Sequence, residues 1–159
     1  MALEIERKFL VKNDSWKIHA KHQTIIEQAY FASKSNEWII RIRSENNKFS
    51  LNFKKHIKNF TNYEFEYEIP AEDGQTIINN LKNRIKKKRY YLLIKEKEWI
   101  IDCFEDHNYP LVIAEIELKT EEENFELPPF VSEEVTGIKD FSNFQLSTRP
   151  FKQWSKNKN

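Results

Sequence analysis

Hydrophobic and polar residues alternate along most of this chain with a period of two, the spacing of a strand with one face buried. The alternation predicts strands over residues 3–11, 23–31, 37–45, 48–55, 61–69, 87–95, 97–104 and 111–119. Polar turns such as Lys34-Ser35-Asn36 and Glu45-Asn46-Asn47 link them. The period changes once, after residue 69. There Asp73 is expected to cap a helix running to about Ile85, with Ile77, Ile78, Leu81 and Ile85 on one face. A short helix is expected over 120–126, stopped by Pro128-Pro129. Another is expected from about Lys139 to Leu146, burying Phe141, Phe144 and Leu146. The pattern predicts one mainly β (α+β) domain over 1–150 and a basic, frayed tail over 151–159, on which Phe151 and Trp154 are able to dock.

The same alternation sorts the charges. Glu4, Glu6 and Lys8 share one face of the first strand, opposite Leu3, Ile5 and Phe9. Arg41 pairs with Arg43 on one face, and Ser50, Asn52 and Lys54 share another. Glu64, Glu66 and Glu68 form a row, Lys87 lines up with Arg89, and Glu115 with Glu117. Asp102 interrupts an apolar run. Half-solvated sheets with cross-strand ion pairs explain any one of these rows. A solvated face usually mixes polar types, however, whereas these are short rows of one sign. Carboxylate clusters suit hard divalent cations, and arginine and lysine rows suit phosphates. A closed barrel with this lining would hold a metal–phosphate complex, with apolar residues on its outer wall.

Composition narrows the field further. Among 159 residues, 26 Lys and Arg nearly balance 25 Asp and Glu, so net charge gives no argument for nucleic acid or an acidic membrane. With 2 glycines there is no Gly-rich phosphate loop, and with 1 cysteine no disulfide framework. No run is long and apolar enough for a membrane span, so a cytoplasmic protein is the expectation. Cys103 is expected to pack on the face opposite Asp102. His19, His22, His56 and His107 lack ligand spacing and read as surface groups. Glu121-Glu122-Glu123 reads as a solvated helix start. In Lys86-Lys87-Lys88-Arg89, parity sends Lys87 and Arg89 inward and leaves Lys86 and Lys88 exposed. Trp38 and Trp99 read as exterior packing.

The opening EIERK resembles the ExExK signature of the triphosphate tunnel metalloenzymes, the CYTH superfamily. The resemblance continues in order through EQAYF, IRIR, NFK, EFE, KKRYY, IDCF, LVIAEIEL and EEVTG, covering nearly the whole chain, and is strongest to the compact bacterial branch. It implies an eight-stranded closed antiparallel β-barrel forming a charged tunnel, with a few covering helices. It also implies metal-dependent hydrolysis of inorganic triphosphate to pyrophosphate and orthophosphate, with one or two Mg²⁺ or Mn²⁺ ions. Carried over, Glu4, Glu6, Glu115 and Glu117 are metal ligands, with Asp102, Glu64 and Glu66 completing the acidic side. Lys8, Arg41, Arg43, Lys54, Lys87 and Arg89 contact phosphate. Glu4, Glu6 and Lys8 stand closest to the chemistry. The helix after EEVTG is expected near a tunnel mouth, and Glu134 matches the glutamate of the EVT motif. Asn62, Asp140 and Phe141 depart from the pattern, which bears on how the outer phosphates are held. The fold also hosts class IV-type adenylyl cyclases and thiamine triphosphatases, and a third possibility is a non-catalytic polyphosphate or nucleotide binder. A homodimer is compatible with the apolar outer wall.

Overall fold

The computed structural model describes residues 2–34 and 37–154; the expected 34–36 turn and the end of the basic tail fall partly outside that range. Nine strands form one sheet: β1 (Leu3–Val11), β2 (Ala20–Tyr30), β3 (Ile39–Glu45), β4 (Lys48–Lys58), β5 (Thr61–Ile69), β6 (Asn83–Ile94), β7 (Lys97–Phe104), β8 (Val112–Glu117) and β9 (Val131–Glu134). Their order is β5-β4-β3-β2-β6-β7-β8-β1-β9, and β1 also pairs with β5. That last pairing, Leu3–Ile5 against Thr61–Tyr63, closes eight antiparallel strands into a barrel. The β3–β4 hairpin turns on Asn46 and Asn47, both with positive φ, as a tight two-residue turn requires.

Every predicted strand is present, and three other expectations change. Helix α1 spans Ala71–Asn79 behind Pro70, not 73–85 behind Asp73. Ile85 lies in β6 instead, opposite Gln28 of β2, because pairing with the neighbouring strand β2 captures the chain from Asn83 onward. Residues 120–126 form no helix. Phe125 packs edge-on against Phe9 and Trp99, while Glu121 accepts hydrogen bonds from Asn59 and Thr61 and Glu123 from Lys97. These tertiary partners hold the segment in a turn at 121–122 and an irregular run on its way to β9, a strand the alternation did not reveal. The last expected helix divides into a 3₁₀ turn at Lys139–Phe141 and α2 (Asn143–Thr148), capped by Ser142. The tail is ordered through α3 (Phe151–Trp154).

Three apolar clusters organise the barrel. On the outer wall, Ile5, Phe9, Trp99 and Ile116 are covered by Trp16 and by Phe125 and Phe130 of the 119–131 segment. Elsewhere on that wall, Ile42, Phe49 and Ile69 are covered by Ile77 and Ile78 of α1. Gly74 lies against Phe49 so closely that a Cβ would overlap the ring. The third cluster is inside. Leu10, Tyr30, Ile39, Ile85, Phe104 and Ile113 share their strands' inward parity with the charged rows, and all lie at one end. Leu146 and Phe144 of α2 and Trp154 of α3 seal them. One end of the barrel is therefore an apolar plug, and the charged interior opens at the other.

Candidate active site

Inward-facing charge in a barrel is only partly screened by water, so most of these groups find partners within the lining. The lining surrounds a cavity of about 560 Å³, open at the end bearing His22, Tyr91, Leu93 and Glu98. Two walls of opposite sign face it.

The acidic wall comes from β1, β5 and β8. Antiparallel register sets Glu6 opposite Glu117 and Lys8 opposite Glu115. Lys54 reaches across from β4, with Nζ 2.7 Å from Glu4 Oε2, 3.6 Å from Glu6 Oε1 and 3.9 Å from Glu64 Oε2. Lys8 Nζ lies 3.5 Å from Glu6 Oε1 and 3.7 Å from Glu115 Oε1. Burial, and then the charge of Glu6, raise the Glu4 carboxyl well above the usual range. Burial alone would raise Glu64 as well. The hydrogen bond with Glu4 and the charges of Lys54 and Arg41 outweigh it and hold Glu64 at about 2. Burial and the nearby Glu6 and Glu64 raise Glu117. Among the described residues no three acids, histidines or cysteines converge as a ready-made metal cage, because lysines occupy the gaps between the carboxylates. The donor set nevertheless fits a hard divalent ion. All its donors are oxygens, and the charge of Glu6 raises the cost of ionising both Glu4 and Glu117, an excess of negative charge a cation relieves.

The basic wall comes from β3 and β6. Arg41 Nη2 stands 3.7 Å from Glu64 Oε1, and its buried Nε has no hydrogen-bond partner. Arg43 Nε donates to Gln28 Oε1 at 2.9 Å; among the described residues Arg43 makes no ion pair within 4.0 Å. Burial and the neighbouring Arg41 and Arg89 push its guanidinium down to about 10, so it remains charged at neutral pH. Arg89 is gripped by Asp102 and stands 3.9 Å from Glu115.

The predicted site residues thus divide. Glu4, Glu6, Arg41, Arg43, Lys54 and Arg89 line the cavity, as do Glu64, Glu66, Glu115 and Glu117. Lys87 and Asp102 share the interior but are sealed from it: both are 0% exposed, with Lys87 Nζ 2.7 Å from Asp102 Oδ2 and 3.0 Å from Asn143 Oδ1 of α2. Burial pushes the Lys87 ammonium down to about 7 in spite of Asp102. Glu134 sits on the outside, where it accepts two hydrogen bonds from Arg7, at 2.6 and 2.7 Å. Phe141 joins the plug, edge-on to Trp154, and Asp140 pairs with Arg149 at the surface. Asn62 sits opposite Glu4, beside His56. All four histidines are exposed, and His22 stacks on Tyr91 at the cavity mouth. Asn143 and Gln28 escaped prediction. A lone amide in a helix carries no signal, whereas Gln28 is legible as a polar side chain on the inward parity of β2.

Comparison with known proteins agrees with this geometry. The CYTH domain model matches residues 2–148. An inorganic triphosphatase of Acetivibrio thermocellus is 35% identical over 156 residues, covering 97% of this chain and 99% of that protein. A solved structure of the inorganic triphosphatase NE1496 aligns with a TM-score of 0.68 at 26% identity, covering 92% of this chain and 95% of that one. A Hippeastrum structure described as revealing a dominant triphosphatase activity shares the fold, with a TM-score of 0.59 at 16% identity over 75% of this chain and 81% of its own.

Proposed function

The chain belongs to the CYTH domain family, and from that premise we propose that it hydrolyses inorganic triphosphate to pyrophosphate and orthophosphate. The observation that carries this reading is a cavity in which a carboxylate wall faces an arginine wall. A pure anion binder gains nothing from Glu4, Glu6, Glu115 and Glu117, which repel its ligand. A protein that handles a phosphate chain together with a divalent cation needs both walls.

Phosphoryl transfer requires positioning and charge neutralisation more than covalent participation by protein groups. Arg41, Arg43 and Arg89 bind non-bridging oxygens and absorb the charge that develops on the departing pyrophosphate. Glu4, Glu6, Glu115 and Glu117 would hold Mg²⁺ or Mn²⁺, with Glu64 and Glu66 beside them; the ion supplies Lewis-acid neutralisation of phosphate oxygens. Lys54 and Lys8 keep the carboxylates from repelling one another and stand ready to turn toward phosphate as the acids are otherwise neutralised. Asp102, sealed behind the cavity with Lys87 bonded to it, holds Arg89 rather than substrate. The plugged end and the narrow interior keep bulk water away from the bound chain, strengthening each charge contact.

Product analysis with triphosphate, ATP and thiamine triphosphate in parallel, each with Mg²⁺ and with Mn²⁺, tests the proposal. The expected result is orthophosphate from triphosphate, faster than from either alternative. Cyclic AMP and pyrophosphate from ATP would overturn it in favour of a cyclase. Tight triphosphate binding without turnover under either metal would overturn it in favour of a binder.

A further inference from the structure

The three cavity arginines are not held alike. Arg89 is clamped by the carboxylate of Asp102, and Arg41 stands near that of Glu64. Arg43 is held only by a neutral amide, that of Gln28. Gln28 is 0% exposed on β2, directly opposite Arg43 of β3. A guanidinium donates and never accepts, so the amide oxygen must face Arg43 and the amide NH₂ must face away. The NH₂ donates to the Tyr30 hydroxyl at 2.9 Å. Tyr30 in turn sits directly opposite Arg41, with its hydroxyl against that guanidinium. The interior row of β2 thus links Arg43, Gln28, Tyr30 and Arg41 in one chain of polar contacts.

A buried polar side chain needs a reason, and a carboxylate would be the stronger partner for an arginine. It would also cancel the charge. An amide fixes the direction of the guanidinium through Nε and leaves its positive charge, and both terminal nitrogens, for an anion in the cavity. We propose that Gln28 is a positioning residue for triphosphate binding: it aims Arg43 at the cavity without neutralising it, and through Tyr30 ties Arg43 to Arg41. This rests on the triphosphate assignment above and adds the residue that orders the basic wall.

Three substitutions separate aim, charge and packing. Gln28→Met keeps length without polarity, Gln28→Glu keeps shape and adds charge, and Tyr30→Phe removes one hydroxyl. Calorimetric titration of the full chain with inorganic triphosphate in EDTA reads binding without turnover, and thermal melts report folding. The dissociation constant is expected to rise about tenfold for Gln28→Met and about a hundredfold for Gln28→Glu. Tyr30→Phe, which leaves Gln28 in place, is expected to cost about threefold and serves as the test if neither Gln28 variant folds. In steady-state assays with Mg²⁺, KM should rise more than kcat falls. Equal losses for Gln28→Met and Gln28→Glu would reduce Gln28 to packing and overturn the proposal, as would wild-type binding by Gln28→Glu or, if it is the only variant that folds, by Tyr30→Phe. Arg43→Ala separates the two levels. If it binds triphosphate as the wild type does, the triphosphate assignment of the basic wall fails; if it binds weakly while Gln28→Glu binds normally, only the role of Gln28 fails.

Discussion

Arg89 holds Asp102 with two nitrogens, Nε to Oδ1 at 2.8 Å and Nη2 to Oδ2 at 2.9 Å, and Lys87 closes on the same carboxylate from the other side. One buried anion therefore anchors two cations. Removing it leaves Lys87 without an ion-pair partner among the described residues and Arg89 with only Glu115, 3.9 Å away, the costly way to break a buried pair.

Asp102→Asn is accordingly expected to destabilise the fold by about 3–5 kcal/mol at neutral pH. Burial would raise Asp102, but Arg89 and Lys87 outweigh it and hold it well below the usual carboxylate range. Its folded-state value is thus depressed, so its contribution is present above about pH 4, the unfolded value, and fades as the pH falls further. Urea melts from pH 3 to pH 7 should show the gap between wild type and variant shrinking at the acid end. A gap that widens there contradicts the assignment.

Glu4→Gln tests the metal wall. In EDTA the variant should melt at or above the wild-type temperature, because a neutral amide replaces a carboxyl whose ionisation is opposed by burial and by Glu6. Ligand linkage should raise the wild-type melting temperature with millimolar Mn²⁺ and leave the variant nearly unmoved. Triphosphate turnover should fall by about a hundredfold or more. Full metal-dependent activity in the variant would remove Glu4 from the ligand set.

Cys103 reports on the outer wall. It points away from Asp102, packs with the outer-wall cluster, and burial pushes its thiol up to about 11. Iodoacetamide at pH 8 should therefore modify it far more slowly than a free thiol, with the rate rising steeply only toward pH 11. Rapid alkylation at pH 8 would show that β7 is not covered as described.

Gly74 is the case where helix propensity and packing disagree. Alanine would favour helix α1 by about 1 kcal/mol, yet its Cβ would overlap the Phe49 ring that α1 covers. Overpacking of this kind costs about 1–3 kcal/mol, so Gly74→Ala should lower stability on balance. Combining it with Phe49→Leu, which keeps the Cβ, Cγ and Cδ1 atoms that Gly74 faces, should recover little of the loss. A Gly74→Ala variant more stable than wild type would show that the ring moves aside freely.

How much of this was legible beforehand follows from range. Strand parity is local: side chains alternate within one strand whatever lies beside it, so the inward rows at Glu4, Glu6 and Lys8, at Arg41 and Arg43, and at Glu115 and Glu117 could be read directly. Helix limits were less legible, since α1 stops at Asn79, just short of the residues 83–86 that pair with Glu27–Tyr30 of β2, a strand far earlier in the chain. The loop at 120–126 carried helix-compatible residues whose partners, Thr61 of β5 and Lys97 and Trp99 of β7, come from two distant strands.

The sequence by itself determined the walls: which side chains face inward, their sign, and hence a closed barrel suited to phosphate and cation. Only the tertiary structure decided depth. Parity gives Lys87 and Arg43 the same inward standing, yet one is sealed beside Asp102 under Asn143 and the other faces the cavity with an uncancelled charge. Position along the barrel axis depends on the register of neighbouring strands and on the apolar plug that α2 and α3 complete. No single strand contains that information, because register is a relation between segments that meet only in the folded barrel.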